Sequence, residues 1–308
     1  MRLITVLNRC TEFKRFVIEE SRFNADGRIM VSLRSRKNSR GESSCCGQLS
    51  PTYDTSSDAR LFEFIPFWGF PVFLVYRMRR VKCKACGQVT MEKIPWGTGK
   101  HHLTDIYRCF LAQWAKKLSW AEVARSFRTS WDKVYHSVQY VVEYGIAHRR
   151  LDQVTALGVD EIQYRKGHHF LTLVYQIDTC RRRLLWMGEK RTKKTLDDGF
   201  TELEQEHQRR QEATGVEEPT SFLDQIAFVC TDIWKAYLNV IGKRLPAAVH
   251  ILDRFHIMQQ FSKALDKVRA EEVRRLKAEG KDPVLTKSRW CFLKRKENLS
   301  DTQDLKLS

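Results

Sequence analysis

Ala156-Leu157-Gly158-Val159-Asp160 is an apolar run that ends on a carboxylate, and Ile226-Ala227-Phe228-Val229-Cys230-Thr231-Asp232 repeats the design further along the chain. Each reads as a buried strand delivering an aspartate to the carboxyl edge of a sheet. Between them, His169 to Asp178 and Leu184 to Gly188 read as two more strands, and residues 192–212 as a helix. Beyond them lie a helix from Ile233 to about Lys243, a fifth strand from Ala247 to Asp253 and a long basic helix from Phe255 to Ala278.

Three strands, a helix and then two strand–helix units make an α/β domain, assigned to residues 151–278, with an RNase H-like order. In that arrangement the first and fourth strands are neighbours, so Asp160 and Asp232 converge on one divalent site. Hard carboxylate oxygens suit Mg2+. Two such ions, about 4 Å apart, activate a water or 3′-hydroxyl and stabilise the leaving oxygen in phosphoryl transfer. Taken singly, either aspartate is as well explained as a strand-end cap. Asp253 and His256 end the fifth strand and open the next helix, near the same edge. Asp253 reads equally as a helix cap, and His256 as a support for the metal or a DNA contact. Trp186, Trp234 and Trp290 read as core or packing residues.

Upstream, residues 101–150 change character. Ile106, Phe110, Leu111, Trp114 and Leu118 fall at helical spacing. Ser119-Trp120-Ala121-Glu122 is a capping-box pattern opening a short helix. After the turn at Arg128-Thr129, Ser130 caps a second helix reaching about His148. A short helix, a tight turn and a longer helix can set the second helix into a DNA major groove. Ser130, Lys133, His136 and Ser137 then face bases or phosphates. A helical hairpin packed in a bundle is the competing explanation.

Residues 41–100 hold Cys45, Cys46, Cys83 and Cys86. Cys83-Lys84-Ala85-Cys86-Gly87 has the spacing at which two thiolates chelate one zinc through a tight turn. The other pair is adjacent, which is poor chelating geometry, and Ser43 stands where a matching turn needs a cysteine. Three cysteines with a fourth ligand, a weak site, and a zinc-free hairpin all remain open. Residues 1–40 are a weakly patterned N-terminal segment and 279–308 a polar tail, expected to be poorly ordered after about residue 278.

Of the 308 residues, 54 are Lys or Arg and 37 Asp or Glu, a formal charge of +17. That excess selects a polyanionic partner, nucleic acid ahead of an anionic membrane. No run of 18 apolar residues suggests a transmembrane helix, and the start lacks a secretory signal. Nine scattered cysteines argue against a disulfide scaffold and for the cytosol.

Several segments together resemble the ISL-three group of bacterial insertion-sequence transposases. They are Phe67-Trp68-Gly69-Phe70-Pro71-Val72, Arg79 to Gly87, Leu118 to Ala124, Gly158-Val159-Asp160-Glu161 with Arg165-Lys166-Gly167-His168, Thr231-Asp232-Ile233-Trp234, and Leu252-Asp253-Arg254-Phe255-His256. The resemblance implies a zinc-binding domain, a helix–turn–helix and an RNase H-like DDE domain, in that order. It implies binding of terminal inverted-repeat and target DNA, Mg2+-dependent cleavage and strand transfer, and a homodimer on paired ends in the bacterial cytoplasm, at the nucleoid. Asp160 and Asp232 match the first two catalytic acids, and Asp253 with His256 a D-x-x-H element. A structural zinc would fall to Cys46, Cys83 and Cys86, with Cys45 as the candidate for a fourth ligand, since Ser43 replaces the first cysteine of the family's zinc pattern. The family's third acid lies downstream on a later helix, so the chain reads as C-terminally truncated and inactive by itself. The alternative is a non-catalytic DNA-binding remnant or repressor-like protein. An RNase H-like nuclease without transposition is a third, weaker reading.

Overall fold

The computed structural model describes residues 3–10, 13–98 and 101–306, and separates into two compact units between Arg149 and Arg150. The first unit opens with α1 (Leu3–Cys10) and two strands, β1 (Phe16–Phe23) and β2 (Ile29–Ser35). Short strands β3 (Gly41–Glu42), β4 (Leu49–Ser50) and β5 (Thr52–Thr55) lead to β6 (Arg60–Phe67), β7 (Phe70–Tyr76), β8 (Arg79–Lys82) and β9 (Val89–Met91). Helices α2 (Asp105–Trp114), α3 (Trp120–Ser126) and α4 (Trp131–His148) complete it.

β1, β2, β7 and β6 form one sheet, in that order. Residues read as a weakly patterned N-terminal segment therefore share a sheet with strands from the cysteine-bearing segment. The reason is alternation: Ile29, Val31 and Leu33 of β2 and Val72, Leu74 and Tyr76 of β7 all point inward. Trp96 sits edge-on to Phe13, Phe16, Phe62 and Tyr76, closing that core. Beneath it Glu92, buried, takes Arg79 in a two-pronged ion pair at 2.7 Å and also accepts from the Tyr76 hydroxyl. Nothing in the sequence pattern marked Glu92 as the buried partner of the other two.

The Ser119 capping box forms as expected, with Ser119 N donating to Glu122 at 2.8 Å and Glu122 N donating to the serine hydroxyl. α3, a short turn in which Arg128 takes φ 50°, and α4 pack with α2 around Tyr107, Leu111, Val123 and Val134.

The second unit contains β10 (Ala156–Arg165), β11 (His169–Gln176), β12 (Arg183–Glu189), α5 (Lys193–Thr214), β13 (Phe228–Thr231), α6 (Lys235–Arg244), β14 (Val249–Leu252) and α7 (Arg254–Ala278). Two short helices follow, α8 (Arg289–Leu293) and α9 (Asp301–Asp304). The sheet order is β12-β11-β10-β13-β14; the β10–β11 and β11–β12 pairs are antiparallel and the β10–β13 and β13–β14 pairs parallel. α5 and α6 bury Leu196, Phe200, Leu203, Tyr237 and Ile241 against Leu157, Val159, Val174, Leu185 and Val229 of the strands. Burying a side chain of this size stabilises by about 1.5–3 kcal/mol, so this one face holds the unit together.

Three expectations change. Asp160 does not end its strand: β10 runs on to Arg165, because its hairpin with β11 continues to the turn at Gly167. The stretch after residue 278 is not without structure. Arg269 donates to Leu285 O at 3.1 Å, Arg289 pairs with Asp266 of α7, and Cys291 is buried. Trp290 is 56% exposed and is not a core residue, whereas Trp186 and Trp234 pack against the core.

Candidate functional site

Two places gather chemistry. The first is the carboxyl edge of the sheet in the second unit. β10 and β13 are parallel neighbours, with Val159 opposite Thr231 as their last paired residues. Asp160 and Asp232 are the next residues on each chain, so both aspartates reach the same edge. Asp232 accepts from the Trp234 amide at 2.8 Å, and Asp160 from the Glu161 amide at 2.8 Å.

Strand alternation carries Leu157, Val159 and then Glu161 to the covered face. A charge at the buried phase of a strand was the signal that sequence reasoning missed. Glu161 pairs with Arg191 at 2.7 Å through one oxygen, while its other oxygen, Oε2, is buried without a hydrogen-bond partner among the described residues. Burial pushes the Glu161 carboxyl up; Arg191 opposes this, and the nearby Asp232 and Asp160 charges add to it. Arg191 also stands 3.9 Å from Asp232, with its guanidinium 4.3 Å from the Trp234 ring centre. Asp253 caps α7 by accepting from the Phe255 amide at 2.8 Å, with His256 3.7 Å from it. His256 is also among the charges that act on Glu161. No three acidic side chains close to metal-binding distance here among the described residues.

The second place is in the first unit, where Cys46, Cys83 and Cys86 place their sulfurs within 4.8 Å of one another, and Cys46 and Cys83 lie 3.2 Å apart. The turns that carry them are alike: Gly47 at φ 73° follows Cys46, and Gly87 at φ 69° follows Cys86. Left-handed backbone there costs glycine nothing. The Cys86 amide, with help from the Cys46 thiol, draws the Cys83 thiol down to about 6. The Gln88 amide favours the Cys86 thiolate, but the Cys83 thiol, burial and the Cys45 thiol together push Cys86 up. Amide donors aimed at clustered sulfurs suit thiolates that ligate a soft cation such as zinc.

The residues assigned to DNA on α4 do not form one open face. Ser130 caps the helix by accepting from the Lys133 amide. Lys133 reaches Glu63 of β6 at 2.5 Å, and Ser137 is 1% exposed and donates to Lys133 O at 2.6 Å. His136 is exposed, as are Trp131 and Tyr135, whose rings stack 5.6 Å apart.

Comparison with known proteins matches both places. A family model described as a transposase of the ISL3 DDE group covers residues 157–308. A second, described as the zinc-finger of transposase IS204/IS1001/IS1096/IS1165, covers residues 44–86. The chain is 24% identical over 265 residues to the transposase for insertion sequence element IS1001 of Bordetella parapertussis, across 85% of this chain and 61% of that relative. It is 28% identical over 263 residues to the transposase for insertion sequence element IS1557 of Mycobacterium tuberculosis, across 82% of this chain and 54% of the relative. The chain thus spans a little over half the length of these relatives. With a zinc-finger match over the thiol turns and a transposase match over the acidic sheet, in that order along one chain, it belongs to the ISL3 family of insertion-sequence transposases.

Proposed function

We propose that the chain binds the terminal inverted-repeat DNA of an insertion sequence and carries part of the Mg2+-dependent centre for strand cleavage and transfer to target DNA. The observation that carries this reading is the parallel pairing of β10 and β13, which ends with Val159 opposite Thr231, one residue before Asp160 and Asp232. The strand order and the helices on one face support an RNase H-like domain. The hard oxygens at that edge and the orphaned buried Oε2 of Glu161 fit a divalent cation. Asp160 and Asp232 would hold it; when bound, Mg2+ activates a water or 3′-hydroxyl and stabilises the leaving oxygen. The Trp234 amide orients Asp232, and Asp253 fixes the start of α7 so that His256 stays near the edge.

Glu161 is a third carboxylate near Asp160 and Asp232, but the three do not close to metal-ligand spacing among the described residues, and Glu161 is engaged by Arg191; we read this as favouring a chain that binds DNA without cutting it alone. A non-catalytic DNA-binding protein that competes for the element's ends is the second reading, and the same observation supports it. α3, its turn and α4 are read as the helix–turn–helix, with His136 and its exposed aromatic neighbours as the contact face. Cys45, Cys46, Cys83 and Cys86 are read as a structural zinc site. A homodimer bridging paired ends, in the bacterial cytoplasm, is the expected assembly.

The test is a mobility-shift and cleavage assay on end-bearing DNA, with and without Mg2+. We expect binding that falls steeply with salt, that Asp160→Ala retains, and no cleavage by this chain. Loss of binding in Asp160→Ala would remove the aspartates from metal chemistry. Mg2+-dependent cleavage by this chain would overturn the incomplete centre.

A further inference from the structure

Arg191 is a cation placed by the fold at an edge that already holds three carboxylates. Its contact with Glu161 is a close ion pair at 2.7 Å, whereas its contact with Asp232, at 3.9 Å, is a looser one. The guanidinium lies 4.3 Å from the Trp234 ring centre and 5.8 Å from that of Phe170, so it is confined by two aromatic rings. Its Nε, like Glu161 Oε2, is buried with no hydrogen-bond partner among the described residues. The group is therefore pinned at Glu161 and leans on Asp232.

We propose that Arg191 is a positioning residue: a tethered counter-ion that holds Asp232 and Glu161 in place and competes with a divalent ion for the Asp232 carboxylate. This rests on the reading of Asp160 and Asp232 as metal ligands. Without a cation, adjacent carboxylates repel, and the protein's own arginine supplies that charge within the fold. A divalent ion arriving at Asp160 and Asp232 meets a fixed positive charge a few ångströms away, and must draw Asp232 out of its reach. Arginine suits this role better than lysine because its planar group can face a carboxylate and stack on a ring together.

The experiment is a Mn2+ titration of the full chain, followed by the loss of the free-ion electron paramagnetic resonance signal. Wild type, Arg191→Gln, Arg191→Lys and Asp232→Asn are compared, with circular dichroism as the folding control. Removing the charge is expected to tighten Mn2+ binding roughly tenfold in Arg191→Gln, the order set by one charge at short range under partial screening. Arg191→Lys, which keeps the charge and loses the fork and the stack, is expected to tighten it by less. Unchanged or weaker binding in Arg191→Gln, with binding abolished by Asp232→Asn, overturns the role of Arg191 and leaves the metal reading standing. Absence of Mn2+ binding in both wild type and Arg191→Gln overturns both. If Arg191→Gln does not fold, Arg191→Lys decides: affinity equal to wild type rejects the proposal.

Discussion

Ser43 and Cys83 hold equivalent places in two like turns. Ser43 N donates to Gln48 O at 3.0 Å, and Cys83 N donates to Gln88 O at 2.9 Å. Each turn closes on a left-handed glycine, Gly47 or Gly87. The backbone has kept both turns although one lacks its thiol. Ser43 is buried instead, sharing a hydrogen bond with Thr90 at 2.9 Å. Cys45, two residues on, acts on Cys86 from the same cluster.

Ser43→Cys should therefore supply a thiol at the vacant corner of the cluster. We expect zinc affinity to rise at least tenfold, read by competition with a chromophoric chelator. Cys45→Ser should lower it in the otherwise unaltered chain. Equal affinity in Cys45→Ser and wild type would show that three thiols hold the ion without Cys45.

Glu92→Ala should be the most damaging single change in the first unit. It strands the Arg79 guanidinium, which also donates to Ser39 O and the Thr52 hydroxyl, in a site where Glu92 is the only carboxylate paired with it among the described residues. Breaking one side of such a buried pair costs about 3–5 kcal/mol. Urea unfolding measures it, and a loss under about 1 kcal/mol would contradict the burial described.

Gly199→Ala should destabilise, against its helix propensity. Alanine gains about 1 kcal/mol over glycine within a helix. Here a Cβ would meet the Trp186 ring at 2.8 Å, and a Cβ at Gly188 would meet the same ring at 2.1 Å. The indole lies against both glycines and donates to Glu202 at 2.7 Å. Thermal melts together with Trp fluorescence read the change; a raised melting temperature would show that the ring can move aside.

Asp178 links acidity to stability. Burial opposes its charge, but donors from Thr155 and Gln176 prevail and hold the carboxyl below its usual range. A lowered folded value means stability that is present above the unfolded pKa, about 3.9, and is lost as pH falls through the folded one. Asp178→Asn should unfold about 1 kcal/mol more easily at neutral pH. It should also lose less stability than wild type on acidification, as followed by circular dichroism.

The strands and helices of the second unit were legible because each carries its own period. Buried Leu157 and Val159 alternate, and Leu196, Phe200 and Leu203 recur at helical spacing. The partners of polar groups were not. Lys133 reads as a DNA contact in one dimension and is an ion-pair partner of Glu63 in three. Arg191 and Glu161 meet only because β10 and the turn after β12 are folded onto one edge. Such pairs leave no periodic trace, so a basic residue looks the same whether it faces phosphate or a buried carboxylate.

The pairing of Val159 with Thr231 also has a consequence in time. β10, β11 and β12 join through short hairpin connections, so they can zip locally. β13 can dock on β10 only after α5 and the loop behind it have been laid down, a non-local closure whose entropy must be met first. The two aspartates therefore meet late in folding. A chain released early from its nascent state would present hairpins and helices yet no assembled acidic edge.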